Sequence, residues 1–284
     1  MAGSSRTVRW AAPHECSQGS DEVQRNLTLL GAALIAAGAL SAILPSSAAA
    51  ASTECVTAEN SAAVHGGDCG GPPGPRETRA FVVTEAQFDQ MFPSRNSFYT
   101  YSGLTAAMAS FPAFANTGTD TVKKQEAAAF LANVSHETGG LVHIVEQNQN
   151  NYPHYCDRSQ PYGCPAGQAA YYGRGPIQLS WNFNYKAAGD ALGIDLLNNP
   201  WLVERDAAVS WKSALWYWMT QNGPGTMTPH DAMVNGRGFG ETIRSINGAL
   251  ECKGGNPGQV QSRVNNYKKF TEILGVPTGG NLTC

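Results

Sequence analysis

The segment Lys123-Lys124-Gln125-Glu126-Ala127-Ala128-Ala129-Phe130-Leu131-Ala132-Asn133-Val134-Ser135-His136-Glu137-Thr138-Gly139-Gly140 reads as one long helix with a defined end. Ala127, Phe130, Leu131 and Val134 recur at helical spacing and share one face. Two successive glycines close it, because a helix C-terminus favours a residue free to turn left-handed. Other segments repeat this period. Thr84-Glu85-Ala86-Gln87 is a capping box opening a short helix through Phe92. Leu104, Ala107, Met108 and Phe111 follow at helical spacing until Pro112 stops them. Asp206 to Thr220 carries Val209, Leu215, Trp216 and Met219. Val260 to Leu274 carries Val260, Val264, Tyr267, Phe270 and Leu274, closed by Gly275. Alternating strand patterns are scarce. The pattern predicts a mainly α fold with long Gly/Asn/Pro loops and at most a small β-sheet.

Glu137 stands out within the decisive helix. It follows Val134 by three positions and Phe130 by seven, which places a carboxyl on the apolar face. It also lies in the last turn, where the helix dipole disfavours negative charge. Both effects favour the protonated form, so its pKa is expected to be raised, as a general acid requires. The competing reading is a partly buried Glu paired with Arg or His. Glu146 follows nine positions later, beyond the helix, in Ile144-Val145-Glu146-Gln147-Asn148. Acetal hydrolysis needs a second carboxylate. In an inverting enzyme it activates water from the opposite face, with the carboxyls about 6.5–9.5 Å apart. A solvated surface Glu is the competing reading here.

Tyr171-Tyr172-Gly173-Arg174-Gly175-Pro176-Ile177-Gln178-Leu179-Ser180-Trp181-Asn182-Phe183-Asn184-Tyr185 is dense in aromatics and amides. Aromatic faces bind the C–H surfaces of sugars, and amides or hydroxyls bind their OH groups. Gln178 and Ser180 share a face if the stretch is extended. A packed loop with core aromatics would use the same composition. Arg174 as a phosphate ligand lacks the Lys and helix of a P-loop, and Gly236-Arg237-Gly238-Phe239-Gly240 is no better as a dinucleotide site. His136 and His143 read as packing or hydrogen-bonding residues.

Composition sets the setting. Charged residues are only 14% of the 284, against roughly 25% in typical soluble domains, which fits an extracellular enzyme better than a cytosolic one. Net charge is -3 and no Lys/Arg stripe occurs, so the footprint of nucleic-acid binding is missing. Leu27 to Leu44 is uncharged and apolar, preceded by Arg25 and followed by Pro45, two serines and Ala48 to Ala51. That is the layout of a secretory signal over 23–51, cleaved near Ala50 or Ala51. A membrane anchor is the alternative, but the run is rich in Ala and Gly rather than in Leu, Ile and Phe. Residues 1–22 form an N-terminal extension resembling neither signal nor fold. Residues 52–79 are a Gly/Pro-rich linker, leaving 80–284 as one catalytic domain.

Of seven cysteines, Cys16 would leave with the signal. Among the rest, proximity favours Cys156–Cys164, Cys252–Cys284 would tie down the C-terminus, and Cys55–Cys69 remains by elimination. No C-x-x-C or H-E-x-x-H spacing occurs, so structural zinc is not indicated, and no cofactor is implied. A monomer is the default.

Phe130 to Gly140, with Ser135-His136-Glu137-Thr138-Gly139-Gly140, and Tyr171 to Ser180 closely resemble the signatures of family 19 chitinases. Ser245-Ile246-Asn247-Gly248-Ala249-Leu250-Glu251-Cys252 and the ending Ile273-Leu274-Gly275-Val276 match as well. The resemblance runs from about Phe81 to Cys284 and is strongest to the compact secreted actinobacterial type. It implies a lysozyme-like, two-lobed, α-rich fold with a substrate cleft. It implies a secreted endo-acting, inverting hydrolase of β-1,4-linked N-acetylglucosamine in chitin, with Glu137 as acid and Glu146 as base. Ser180 resembles the hydroxyl that holds the attacking water with Glu146. Gln178, Asn184, Tyr185 and Asn247 fall at substrate-contacting positions, and Glu251 with Arg263 at a pair that supports the acid electrostatically. The pairs Cys156–Cys164 and Cys252–Cys284 are also implied. Plant members usually read His-Glu-Thr-Thr-Gly-Gly and have a longer segment between the carboxylates, so Glu146 is placed by analogy with compact bacterial members. Two other readings compete: a muramidase of the same fold that cleaves peptidoglycan, and a chitin-binding protein without turnover.

Overall fold

Thr119 caps the helix that organises the molecule, its side chain accepting from the Val122 main-chain N–H. The computed structural model describes residues 80–284, so the signal, the linker and the Cys55–Cys69 pairing lie outside the described residues. In chain order the helices are α1 Glu85–Met91, α2 Tyr101–Met108, α3 Asp120–Thr138, a 3-10 helix Gln149–Tyr155, α4 Asn182–Leu192, α5 Leu202–Arg205, α6 Ala207–Thr220, α7 Pro229–Val234, α8 Phe239–Glu251 and α9 Pro257–Ile273.

The Thr84/Gln87 capping box forms as expected, and α3 ends on Gly139 at φ 64. One expectation is widened. Residues 126–134 of α3 are buried without a break, not only the face of Ala127, Phe130, Leu131 and Val134. The reason is packing: α9, α7 and α8 all lie against α3, so the helix runs through the core rather than along its edge. Another is shortened: α2 ends at Met108, before Phe111.

Aromatic side chains bind the layers. Phe130 of α3 meets Trp218 of α6 edge-on at 5.4 Å and Phe114 at 5.0 Å. Trp211 of α6 packs against Phe88 of α1 and Tyr99. Phe92 beside α1 meets Phe270 of α9 at 5.3 Å.

Extended pairing among the described residues is limited to two isolated antiparallel bridges, Val145 with Arg174 and Arg174 with Leu179. The disulfides Cys156–Cys164 and Cys252–Cys284 are both present. No helix among the described residues is long and apolar enough to cross a membrane.

Candidate active site

Glu137 occupies the next-to-last position of α3, and its side chain is fully covered. Whatever exposure the residue keeps belongs to its main chain. Arg263 of α9, also fully buried, donates Nη2–H to Glu137 Oε1 at 2.5 Å. The same guanidinium grips Glu251 at the end of α8 with two bonds, Nε to Oε2 at 2.8 Å and Nη2 to Oε1 at 2.7 Å. Its Nη1 donates to Asn133 Oδ1 at 3.0 Å. Asn247 donates to Glu251 Oε1 at 2.7 Å from the point where α8 breaks, at φ −145 and ψ 28.

One buried cation thus faces two carboxyls. Glu251 offers it both oxygens and takes the Asn247 amide as well, whereas Glu137 offers one. Glu137 Oε2 is buried and has no hydrogen-bond partner. Burial raises the Glu137 pKa to about 7, Arg263 opposing and the negative charge of Glu251 adding to the rise. The neighbouring His136 is pushed down to about 2 by burial and then by Arg263. As a neutral ring it shares a 3.1 Å hydrogen bond with Ser262 of α9.

Glu146 is held in a different way. It is 2% exposed, but no ion pair reaches it among the described residues. Asn151 Nδ2 donates to its Oε1 at 2.7 Å and the Tyr155 hydroxyl to the same oxygen at 3.1 Å. Main-chain bonds set its direction: Glu146 N–H donates to Gly173 O at 2.9 Å and Gly175 N–H to Ile144 O at 2.8 Å. In an antiparallel register with Val145 opposite Arg174 and Arg174 opposite Leu179, the adjoining row is Glu146, Gly173 and Ser180. Side chains along such a row share one face. The middle member has none, so the Glu146 and Ser180 side chains flank a glycine on one face. A Cβ on Gly173 would stand 3.0 Å from Gln178 Oε1 and 3.3 Å from Gln178 Cβ, so Gln178 packs against this glycine and leaves no room for a side chain there.

Ser180 Oγ is buried without a hydrogen-bond partner. Gln178 sits at φ 53 and its Nε2 donates to Gly175 O at 3.0 Å. Asn184 donates to Ser180 O at 3.0 Å and keeps part of its surface open. Tyr185 differs from the expectation of a sugar contact. It is fully buried, its hydroxyl donating to Tyr172 O at 2.8 Å and accepting from Arg174 Nη1 at 2.7 Å, so it braces the loop from below. Arg174 is buried too and salt-bridged to Glu204 at 2.7 Å, which excludes it as a phosphate ligand. Sequence reasoning missed Asn133, Asn151 and Tyr155. Asn133 carried a usable signal, lying one helical repeat before Glu137. The other two carried none, because nothing local links them to Glu146.

A carboxyl raised to about 7 and a second held by uncharged donors thus stand on this helical fold, and the molecule is a glycoside hydrolase. Residues 82–284 match the family model described as chitinase class I, and the chain belongs to that family, glycoside hydrolase family 19, with its lysozyme-like fold. A bacterial family 19 chitinase of known crystal structure is 81% identical with a TM-score of 0.71, over 72% of this chain and all of that one. Chitinase C from Streptomyces griseus HUT6037 is 75% identical with a TM-score of 0.72, over 72% of this chain and 99% of its own. Basic endochitinase B of Arabidopsis thaliana is 41% identical over 245 residues, covering 76% of this chain and 73% of the plant protein.

Proposed function

We propose that this enzyme is a secreted endo-chitinase that cleaves β-1,4-linked N-acetylglucosamine with inversion. Glu137 protonates the glycosidic oxygen, and Glu146 removes a proton from the water that attacks the anomeric carbon from the opposite face. The observation that carries this reading is the state of Glu137: buried, raised to about 7, with Oε2 unpartnered. Because Oε1 accepts from Arg263, the acid proton resides on Oε2.

Arg263 and Glu251 support the acid. As the proton leaves, the guanidinium already in contact receives the developing carboxylate, so the charge forms in a prearranged site. Ser180 and Glu146, on one face of the paired segments, share the attacking water. Gln178, Asn184 and Asn247 line the path of the sugar chain, and Tyr185 supports that path through Arg174. Hydrolysis at internal bonds accords with the endochitinase names of the plant relatives.

The leader reading of residues 23–51, with 52–79 as a spacer ahead of the catalytic domain, provides export. Two disulfides in the catalytic domain suit an oxidising compartment. The enzyme acts on chitin and its oligosaccharides as a monomer without a cofactor.

Product anomers decide the mechanism. Proton NMR of fresh hydrolysate of a chitin oligomer is expected to give mainly α product from the β linkage. Initial β product would remove the water-activating role from Glu146. Reducing ends released from chitin oligomers but not from bacterial cell walls would exclude the muramidase reading.

A further inference from the structure

The 3-10 helix Gln149–Tyr155 begins three residues after Glu146 and folds back on it. Asn151 and Tyr155 both donate to Glu146 Oε1, at 2.7 and 3.1 Å. The Tyr152 hydroxyl donates to the main-chain carbonyl of Glu146 at 2.9 Å. With about three residues per turn, positions 152 and 155 eclipse, so both phenols point the same way from one short element.

The helix is itself anchored. The Tyr152 ring stacks on Tyr172 at 3.7 Å and 11°. The buried Arg174 guanidinium covers the Tyr172 ring at 3.6 Å. Arg174 is fixed by Glu204, by the Ala170 carbonyl at 2.7 Å and by Tyr185. At the helix's far end, Cys156 is tied to Cys164.

We propose that this helix is a positioning clamp for Glu146, which pins Oε1 and leaves Oε2 as the oxygen that takes the proton from water. The inference rests on the reading of Glu146 as the water-activating group. Both side-chain donors converge on Oε1. Among the described residues Oε2 receives only the Gly173 N–H at 3.5 Å, beyond the range of a good hydrogen bond, and so keeps its accepting capacity. Tyr155 is 1% exposed and needs no contact with sugar to act. The ionisable groups around the clamp are Glu146, Tyr152, Tyr155 and Tyr172, with Arg174 and Glu204 below and His154 on the helix's exposed side.

The test uses the full chain and compares Tyr155→Phe, Asn151→Ala and Glu146→Gln on a soluble chitin oligomer. Tyr155→Phe keeps the ring and removes one donor to the charged carboxylate. Its kcat is expected to fall about tenfold with KM within about twofold. The acidic limb of its kcat–pH profile should move up by about one pH unit, because a lost hydrogen bond to the charged form raises the pKa. Asn151→Ala, at a partly exposed position, should move the limb in the same direction even if Tyr155→Phe folds poorly. An inactive Glu146→Gln beside an unmoved acidic limb in both donor variants would overturn the clamp. So would a lower Tm with an unmoved limb. An active Glu146→Gln would instead overturn the reading of Glu146 itself.

Discussion

Glu137 and Glu146 lie nine residues apart and are stabilised by opposite means. Glu137 ends a long helix and is built into a charged cluster, where Arg263, Glu251, Asn133 and Asn247 converge from α3, α8 and α9. Glu146 sits in irregular chain, and among the described residues uncharged groups hold it: an amide, a phenol and main-chain bonds to Gly173. On the proposed division of roles, the difference matches what each role demands. A general acid must be uncharged before it acts and stabilised just after, so it needs burial with a cation already in contact. A water-activating carboxylate must be charged before it acts, and hydrogen-bond donors preserve that charge without locking it into an ion pair.

The sharpest way to break the comparison is to remove each carboxyl in turn. Glu137→Gln and Glu146→Gln are each expected to lower kcat on chitin oligomers by about 10²–10⁴. An aryl oligosaccharide whose phenol leaves without protonation should then separate them. Glu137→Gln should recover much of its rate on that substrate and Glu146→Gln should not. Equal recovery by both, measured by phenol release, would mean the two carboxyls do not divide the roles as assigned.

A smaller effect probes the cluster. Glu251→Gln removes the negative charge that helps keep Glu137 neutral and leaves Glu137 as the carboxylate that Arg263 faces. The Glu137 pKa should then fall below about 7, and the alkaline limb of kcat should move to lower pH with it. Arg263→Met acts the other way, leaving two buried carboxyls without their cation, and should cost about 3–5 kcal/mol in urea unfolding. An alkaline limb unmoved in Glu251→Gln would show that this cluster does not set the acid.

The cluster also marks where sequence reading stops. Helices α1, α3, α6 and α9 were legible from their apolar period; Thr84 and Asp206 also marked where α1 and α6 begin, whereas α3 and α9 start ahead of their periods, behind the unread caps Thr119 and Asn256. Helices α4 and α8 were not. Neither has a side-chain cap, and their first flanking residues, Trp181 at φ 75 and Gly238 at φ 95, look like turn positions. Packing rather than local chemistry starts them. The same division runs through the site. Glu137 could be singled out because it shares a helix face with Phe130 and Val134. The Arg263–Glu251 contact joins the consecutive helices α8 and α9, and Arg263 carries it to Glu137 on the distant α3; family resemblance alone anticipated it. Asn151 and Tyr155 lie in a 3-10 turn with an internal proline, where a 3.6-residue pattern has no meaning.

A third carboxylate refines the comparison at the smallest scale. Glu126 lies on the same helix as Glu137, three turns earlier, and is equally buried. Its Oε1 accepts from Trp218 Nε1 at 3.1 Å and from His230 Nδ1 at 2.6 Å, and its Oε2 from the Ala115 N–H at 3.0 Å. Every donor ties α3 to a neighbouring element, so this carboxylate is a staple rather than a reagent. Burial pulls the His230 pKa down, but the hydrogen bond and charge of Glu126 outweigh it and the net shift is upward. A raised folded pKa means that the bonus from His230 is complete below its unfolded value of about 6.5 and is lost as pH rises through the higher folded one. Glu137 contributes with the same sign, since a carboxyl raised to about 7 also loses its folded-state proton across neutrality. The two can be separated by mutation. His230→Gln should lower stability by about 1–2 kcal/mol at pH 6 and by less at pH 8, flattening the fall in Tm with pH. Its kcat should remain near the parent's. A His230→Gln protein with the full parental slope of Tm against pH would assign that slope to Glu137 and deny the Glu126 staple any charged character.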